Sequence, residues 1–196
     1  MTKGETVDLD GASGGVARDE GVGLDPGALH YREEVRGSDP EAVRAILVSS
    51  GFFSAGEVDV AVELVQERLS AGIESGYHFI FAERGGEVVG YSCFGPIPLT
   101  LSSYDLYWIA VHEAHRGLGI GGELLERTEG RVSALGGDRL YIETSSRGQY
   151  DPTRSFYERR GYKAEAVLED FYAPGDHKVI YVKRIGGVSR GGRDGS

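Results

Sequence analysis

The residues best suited to chemistry lie between Asp105 and Gly122. An aromatic and β-branched run, Tyr107, Trp108, Ile109, Ala110 and Val111, leads through a polar link at residues 112–115 into Arg116, Gly117, Leu118, Gly119, Ile120, Gly121 and Gly122, where a helix is expected to open. A strand ending beside a helix N-terminus, with glycines where the main chain must approach a ligand closely, describes an anion site. The first four N–H groups of a helix have no intrahelical acceptor, and the macrodipole places about half a positive charge there. Glycines at 117, 119 and 121 carry no β-carbon to keep a diphosphate off those donors, and Arg116 adds a fixed charge at the rim. The expected anion is a phosphate.

Other reactive types are weaker signals. His112 and His115 form an H-x-x-H pair with no third ligand in the sequence, which reads as two solvated loop histidines; no metal is expected. Cys93 is the only cysteine, so an internal disulfide and a multi-cysteine zinc site are both excluded. Its neighbours Tyr91 and Phe94 make it a buried apolar residue in preference to a nucleophile. Gly117, Gly119 and Gly122 also satisfy G-x-G-x-x-G, with Glu143 about twenty residues on, as a dinucleotide-binding unit requires. That fingerprint normally follows its strand at once, whereas residues 112–116 intervene, and past mid-chain too little sequence remains for a doubly wound sheet.

The elements that must position these groups fit one domain of 196 residues. The net charge of −10, with 40% hydrophobic residues, describes an acidic globule and argues against duplex nucleic acid as a partner. No apolar run approaches the ~20 residues of a membrane span, and no signal-type apolar segment opens the chain, so no membrane association and a cytoplasmic location are expected.

Residues 1–27 are rich in Gly, Asp and Glu without apolar period and read as a disordered acidic leader; residues 185–196 read as a flexible tail. Between them, a strand is predicted at 30–35, followed by a helix capped by Ser38 or Asp39, with Pro40 first inside, Val43, Ile46 and Leu47 on one face and its end near Gly51. A second helix at about 57–71 carries Val58, Val62, Val65 and Leu69 at helical spacing. Phe52 and Phe53 between the helices suit either core or a cavity lid. Strands at 77–83 and 87–94 flank Arg84, Gly85 and Gly86 as a hairpin. After the central strand, Leu118, Leu124, Leu125, Val132 and Leu135 mark a helix ending at Gly136 and Gly137. A strand at 140–144 is expected parallel to the one ending at Val111 because a helix intervenes. Asp151 is expected to cap a short helix with Pro152 first inside it and with Phe156 and Tyr157 along it, and strands at 162–169 and 178–183 close the domain. The order βααβββαβαββ predicts an α/β fold: one mixed sheet with helices on both faces.

Arg116, Gly119 and Gly121 meet the [RQ]-x-x-G-x-[GA] signature directly after a strand, and Tyr157, Gly161 and Tyr162 match an FYxxxGY segment. In these the chain resembles the GNAT superfamily of acyl-CoA-dependent N-acetyltransferases across residues 28–184. The resemblance implies acetyl-CoA as co-substrate and a small-molecule or peptide amine as acceptor, with a homodimer as one assembly. It implies that Ile109, Ala110 and Val111 present main-chain groups to the pantetheine arm between two splayed strands. Residues 116–122 would hold the diphosphate, and the Val111 N–H would serve as oxyanion donor.

By the same resemblance Tyr157 occupies the position that protonates the departing thiolate. An alkyl amine with a pKa near ~10 is protonated at neutral pH, so a base is required. Asp105 stands at the offset from Arg116 where some relatives carry a catalytic glutamate; Glu113, His112 and His115 are the alternatives. Many relatives place an Asn two helical turns before the tyrosine, and here that position falls at Tyr150, which leaves Tyr150 a candidate to face substrate. Asp170, Phe171 and Tyr172 read equally as acceptor-pocket lining and as a plain hairpin connection. A non-catalytic acyl-CoA sensor of the same fold is the rival functional reading, with an NAD-binding protein behind it.

Overall fold

A computed structural model describes residues 27–186, and the expected leader and tail fall almost wholly outside them. Among the described residues, β1 (Leu29–Arg32), α1 (Asp39–Ser50), α2 (Ala55–Ala71), β2 (His78–Arg84), β3 (Glu87–Pro96), β4 (Ser103–Val111), α3 (Ile120–Ala134), β5 (Arg139–Ser145), α4 (Asp151–Arg159), β6 (Lys163–Ala173) and β7 (Asp176–Arg184) follow in order. They build one sheet in the order β1-β2-β3-β4-β5-β7-β6. Neighbouring strands run antiparallel except β4 and β5, which are parallel. A sheet with a single parallel pair is not the doubly wound parallel sheet that a dinucleotide reading requires.

Local chemistry explains most boundaries. Pro40 sits in the first turn of α1, where its missing N–H costs nothing, and Gly51 ends that helix at φ 68°. Ser54 and Glu57 form a reciprocal capping box at the start of α2. Gly85 and Gly86 both take positive φ, which the tight β2–β3 turn demands.

The core lies in two layers. Val43, Ile46, Leu47, Val58, Val62 and Val65 from α1 and α2 cover one face over Phe81, Tyr91, Cys93 and Trp108. Leu124, Leu125 and Val132 of α3, with Phe156 and Tyr157 of α4, cover the other over Leu106, Ile109, Val111, Leu140 and Ile142. Each helix pair thus buries its apolar stripe on one side of the sheet.

Several expectations are corrected. Strand β1 stops at Arg32, which is the last residue paired with β2, opposite Phe81, and which turns its guanidinium to the fully buried Asp39 and to Glu83 (2.6 Å). Leu69 and Leu118 are exposed at 41% and 55%, and Leu118 precedes α3 because Gly119, at φ 80°, is its N-cap. Ile185, read as the first tail residue, is buried and donates its N–H to the Asp138 carbonyl at 2.9 Å, so the folded unit runs through it. Asp151 begins α4 itself, with Tyr150 as the N-cap residue.

Candidate active site

The site begins where β4 and β5 part. Their pairing runs from Ser103 with Arg139 to Leu106 with Ile142, and beyond it β4 continues to Val111 and β5 to Ser145 without further pairs. At the same level β4 carries a bulge against β3: Trp108 faces Cys93 and Leu106 faces Phe94, which leaves Tyr107 as the extra residue. A bulge bends its strand and increases its twist, so Tyr107 turns β4 as it leaves β5. The His112 N–H donates to the Val89 carbonyl at 2.9 Å. Because alternate residues of an antiparallel strand turn their main-chain groups to alternate neighbours, Ile109 and Val111 face the opening toward β5. Ala110 between them turns to β3, so of the three expected main-chain contacts its amide is the one committed to the sheet.

At the far end of β4 lies the glycine turn. Helix α3 has no side-chain cap, so its first N–H groups point outward past Gly119, Ile120, Gly121 and Gly122. Nε and Nη2 of Arg116 and Nε of Arg160 are buried without a hydrogen-bond partner among the described residues. A β-carbon built on Gly122 would collide with the Arg160 guanidinium. Arg116 also stands over the Phe52 ring at 6.0 Å, whereas Phe53 packs edge-on against Trp108 at 5.5 Å, so the two phenylalanines divide between rim and core. Unpartnered cationic donors around an uncapped helix start fit a diphosphate, and the residues present match coenzyme A in that respect.

Asp105 lies at the other end of the opening. Its carboxyl is pushed up to about 6, first by burial, then by Glu143, with Lys178 opposing. Lys178 is buried, bonds Glu143 at 2.6 Å and lies 3.8 Å from the centre of the Phe171 ring. Phe171 and Tyr172 contact edge-on at 5.0 Å, as do Tyr77 and Tyr107 at 5.5 Å. Asp105 therefore sits in a half-buried setting with Glu143 and Lys178, a cluster of one net negative charge. The segment Asp170, Phe171 and Tyr172 lies near the end of β6, as the hairpin reading has it, and Phe171 reaches Lys178.

The other base candidates stand elsewhere. His112, Glu113 and His115 follow β4, with the Glu113 N–H on Ser49 Oγ (3.2 Å) and His112 Nδ1 accepting from the Ala114 N–H (3.2 Å). Six residues of strand separate His112 from Asp105, roughly 20 Å at the usual rise. Burial and neighbouring His112 and Arg84 lower the His115 pKa. Among the described residues no group of three His, Cys, Asp or Glu is placed to hold a metal. Cys93 is buried, and desolvation pushes its thiol well above the usual range.

Tyr157 is fully buried in a ring cluster with Phe156 (5.3 Å), Tyr162 (5.7 Å) and Tyr181 (6.0 Å), and burial pushes its phenol well above the ordinary value. Tyr150 is 5% exposed and is the N-cap residue of α4. Sequence reasoning missed Arg160, Glu143 as a neighbour of Asp105, and Lys178. Strand alternation carried a signal for Glu143, since it shares a face with Tyr141, opposite Asp105. Arg160 carried none, because a cation at a helix C-terminus reads as an ordinary dipole contact.

Comparison with known proteins gives a consistent result. Residues 75–164 match the family described as acetyltransferase (GNAT) domain. An N-alpha-acetyltransferase of Sulfurisphaera tokodaii is 32% identical over 52% of this chain and 66% of its own length. An uncharacterized N-acetyltransferase of Methanocaldococcus jannaschii is 30% identical over 67% of this chain and 88% of its own. The crystal structure of a putative GNAT-family acetyltransferase from Desulfovibrio desulfuricans is 46% identical, with a TM-score of 0.80 over 81% of this chain and all of that one. At 18% identity, a putative acetyltransferase from Salmonella typhimurium solved with its cofactor acetyl-CoA shares the fold, with a TM-score of 0.64 over 82% of this chain and 95% of that one.

Proposed function

The chain belongs to the GNAT family of acetyltransferases, and from that premise we propose that it transfers an acetyl group from acetyl-CoA to a primary amine by direct attack in a ternary complex. The observation that carries this reading is Asp105: a carboxyl held near the operating pH, at the point where β4 and β5 separate. Bound acetyl-CoA would supply the acyl group as an activated thioester.

The chain's own residues supply the rest. Arg116 and the main-chain N–H groups of residues 117–122 would hold the diphosphate, and the main chain of Ile109 and Val111 would align the pantetheine arm. Asp105 would take a proton from the acceptor ammonium, directly or through water. Base and oxyanion donor must converge on one carbon. Ile109, two residues nearer Asp105 than Val111 and turned to the same opening, therefore suits the oxyanion role better than Val111. Tyr157 keeps its proton at neutral pH and would give it to the departing thiolate.

The acceptor's own acidity bears on its choice whichever base serves: an α-amine gives up its proton roughly two to three pKa units more readily than a lysine-type amine, about 3 kcal/mol. On that ground, and in keeping with the name of the Sulfurisphaera relative, a peptide or small-molecule α-amine is the acceptor class to try first. Thiol release from acetyl-CoA over a panel of α-amino peptides, lysine ε-amines and small polyamines tests the proposal. Turnover is expected with α-amines first. Tight acetyl-CoA binding with no turnover of any amine would favour the sensor reading.

A further inference from the structure

We infer that Arg160 is a second, side-chain ligand of the diphosphate, clamping it against the first turn of α3 from the side of α4. This rests on the reading that the glycine turn holds acetyl-CoA.

Three observations converge on it. First, Arg160 follows the last residue of α4, yet its guanidinium lies against Gly122, the third residue of α3, at the place a β-carbon would occupy. Gly122 is one of the residues whose N–H has no intrahelical acceptor, so the guanidinium touches the donor set itself. Second, Arg160 Nε is buried without a partner, and the group packs over the Phe156 ring at 4.2 Å with no ion pair among the described residues. A buried guanidinium nitrogen left unsatisfied is costly and calls for an acceptor. Third, the sign is unfavourable: Arg160 and Arg116 both stand at the positive pole of a 15-residue helix, where a cation is repelled and an anion attracted. A doubly charged phosphate pair between them reverses that sign and satisfies the orphaned donors.

The ordinary account, a cation near the C-terminus of α4, covers the charge but not the unpartnered Nε or the contact with Gly122. It also leaves Gly122 unexplained, since a glycine inside a helix is disfavoured relative to alanine unless something needs its space. Arg160 takes that space.

Calorimetric titration of coenzyme A and 3′-dephospho-coenzyme A into the wild-type chain, Arg160→Gln and Arg160→Lys tests the assignment, with thermal unfolding of each protein alone as the second readout. Arg160→Gln should weaken both ligands by the same factor, about 10- to 100-fold for a lost charge-assisted contact. Arg160→Lys should recover part of that loss. The unfolding midpoint of Arg160→Gln alone should match or exceed the wild type, because an unpaired cation has left a positive helix end. Unchanged affinity in Arg160→Gln overturns the inference, as does a lowered midpoint in the protein alone, which marks a packing role. A loss confined to coenzyme A and absent with the dephospho form moves the contact to the 3′-phosphate and also overturns it. Failure of the wild-type chain to bind either ligand sinks the underlying functional reading instead.

Discussion

Asp105 on β4 and Glu143 on β5 flank the last paired position of the two parallel strands, Leu106 with Ile142, on the same face of the sheet. Glu143 is bonded to Lys178 at 2.6 Å, so Asp105 is left as the net charge of the cluster. Its carboxyl is raised to about 6 by burial first and by Glu143 second. That places its titration within the working range of an enzyme.

Turnover should therefore follow Asp105. In the wild type kcat/KM should climb as pH rises through about 6, where the carboxyl loses its proton, and level above it. Asp105→Asn should abolish that limb and lower kcat/KM by roughly 100-fold or more, the usual worth of a positioned base. A pH–rate profile of both proteins measures this, and an unaltered limb in the variant hands the base role to His112 or Glu113.

The same residue should limit stability at neutral pH. Unfolded, an aspartate titrates near ~3.9, whereas folded Asp105 titrates near 6, so the native state binds the extra proton between those values. The stabilisation from that proton is present below about pH 4 and is lost as pH rises through 6. Asp105→Asn should therefore match the wild type near pH 4 and exceed it above pH 6, by on the order of 1 kcal/mol once partial solvent exposure is allowed for. Urea unfolding at the two pH values gives the answer; a variant less stable at pH 7 contradicts it.

Tyr157→Phe removes one oxygen from a fully buried ring and keeps its packing against Phe156, Tyr162 and Tyr181. If the phenol serves the leaving thiolate, kcat should drop by about 100-fold while the dissociation constant for coenzyme A stays within twofold. Steady-state kinetics beside equilibrium binding separates the two. Unchanged kcat would make Tyr157 a packing residue alone.

Gly119 adopts φ 80° as the N-cap of α3, a conformation that a β-branched side chain tolerates poorly. Gly119→Val should cost about 1–3 kcal/mol of stability and weaken coenzyme A binding through the misplaced N–H groups. Thermal unfolding and ligand titration are both needed, since affinity that survives the strain would place the diphosphate elsewhere.

The sequence alone determined the element order and the glycine turn ahead of α3, while Asp105 stood out as a candidate base through the family resemblance. Order and turn rest on local rules: the period of apolar residues, Pro at the start of α1, the double glycine of the β2–β3 turn, and the glycine at 119 that takes a positive φ. What only the tertiary structure decided is where those elements leave off touching. The bulge at Tyr107 and the end of pairing at Leu106 and Ile142 open the site, and neither has a composition of its own. Likewise the company of Asp105 comes from β5, β6 and β7, with Glu143 and Lys178 thirty-eight and seventy-three residues downstream. Arg160 meets Gly122 only because α4 lies beside α3. Desolvation and charge act through space, so a carboxyl's pKa or a guanidinium's missing partner is set by neighbours that chain order does not make adjacent.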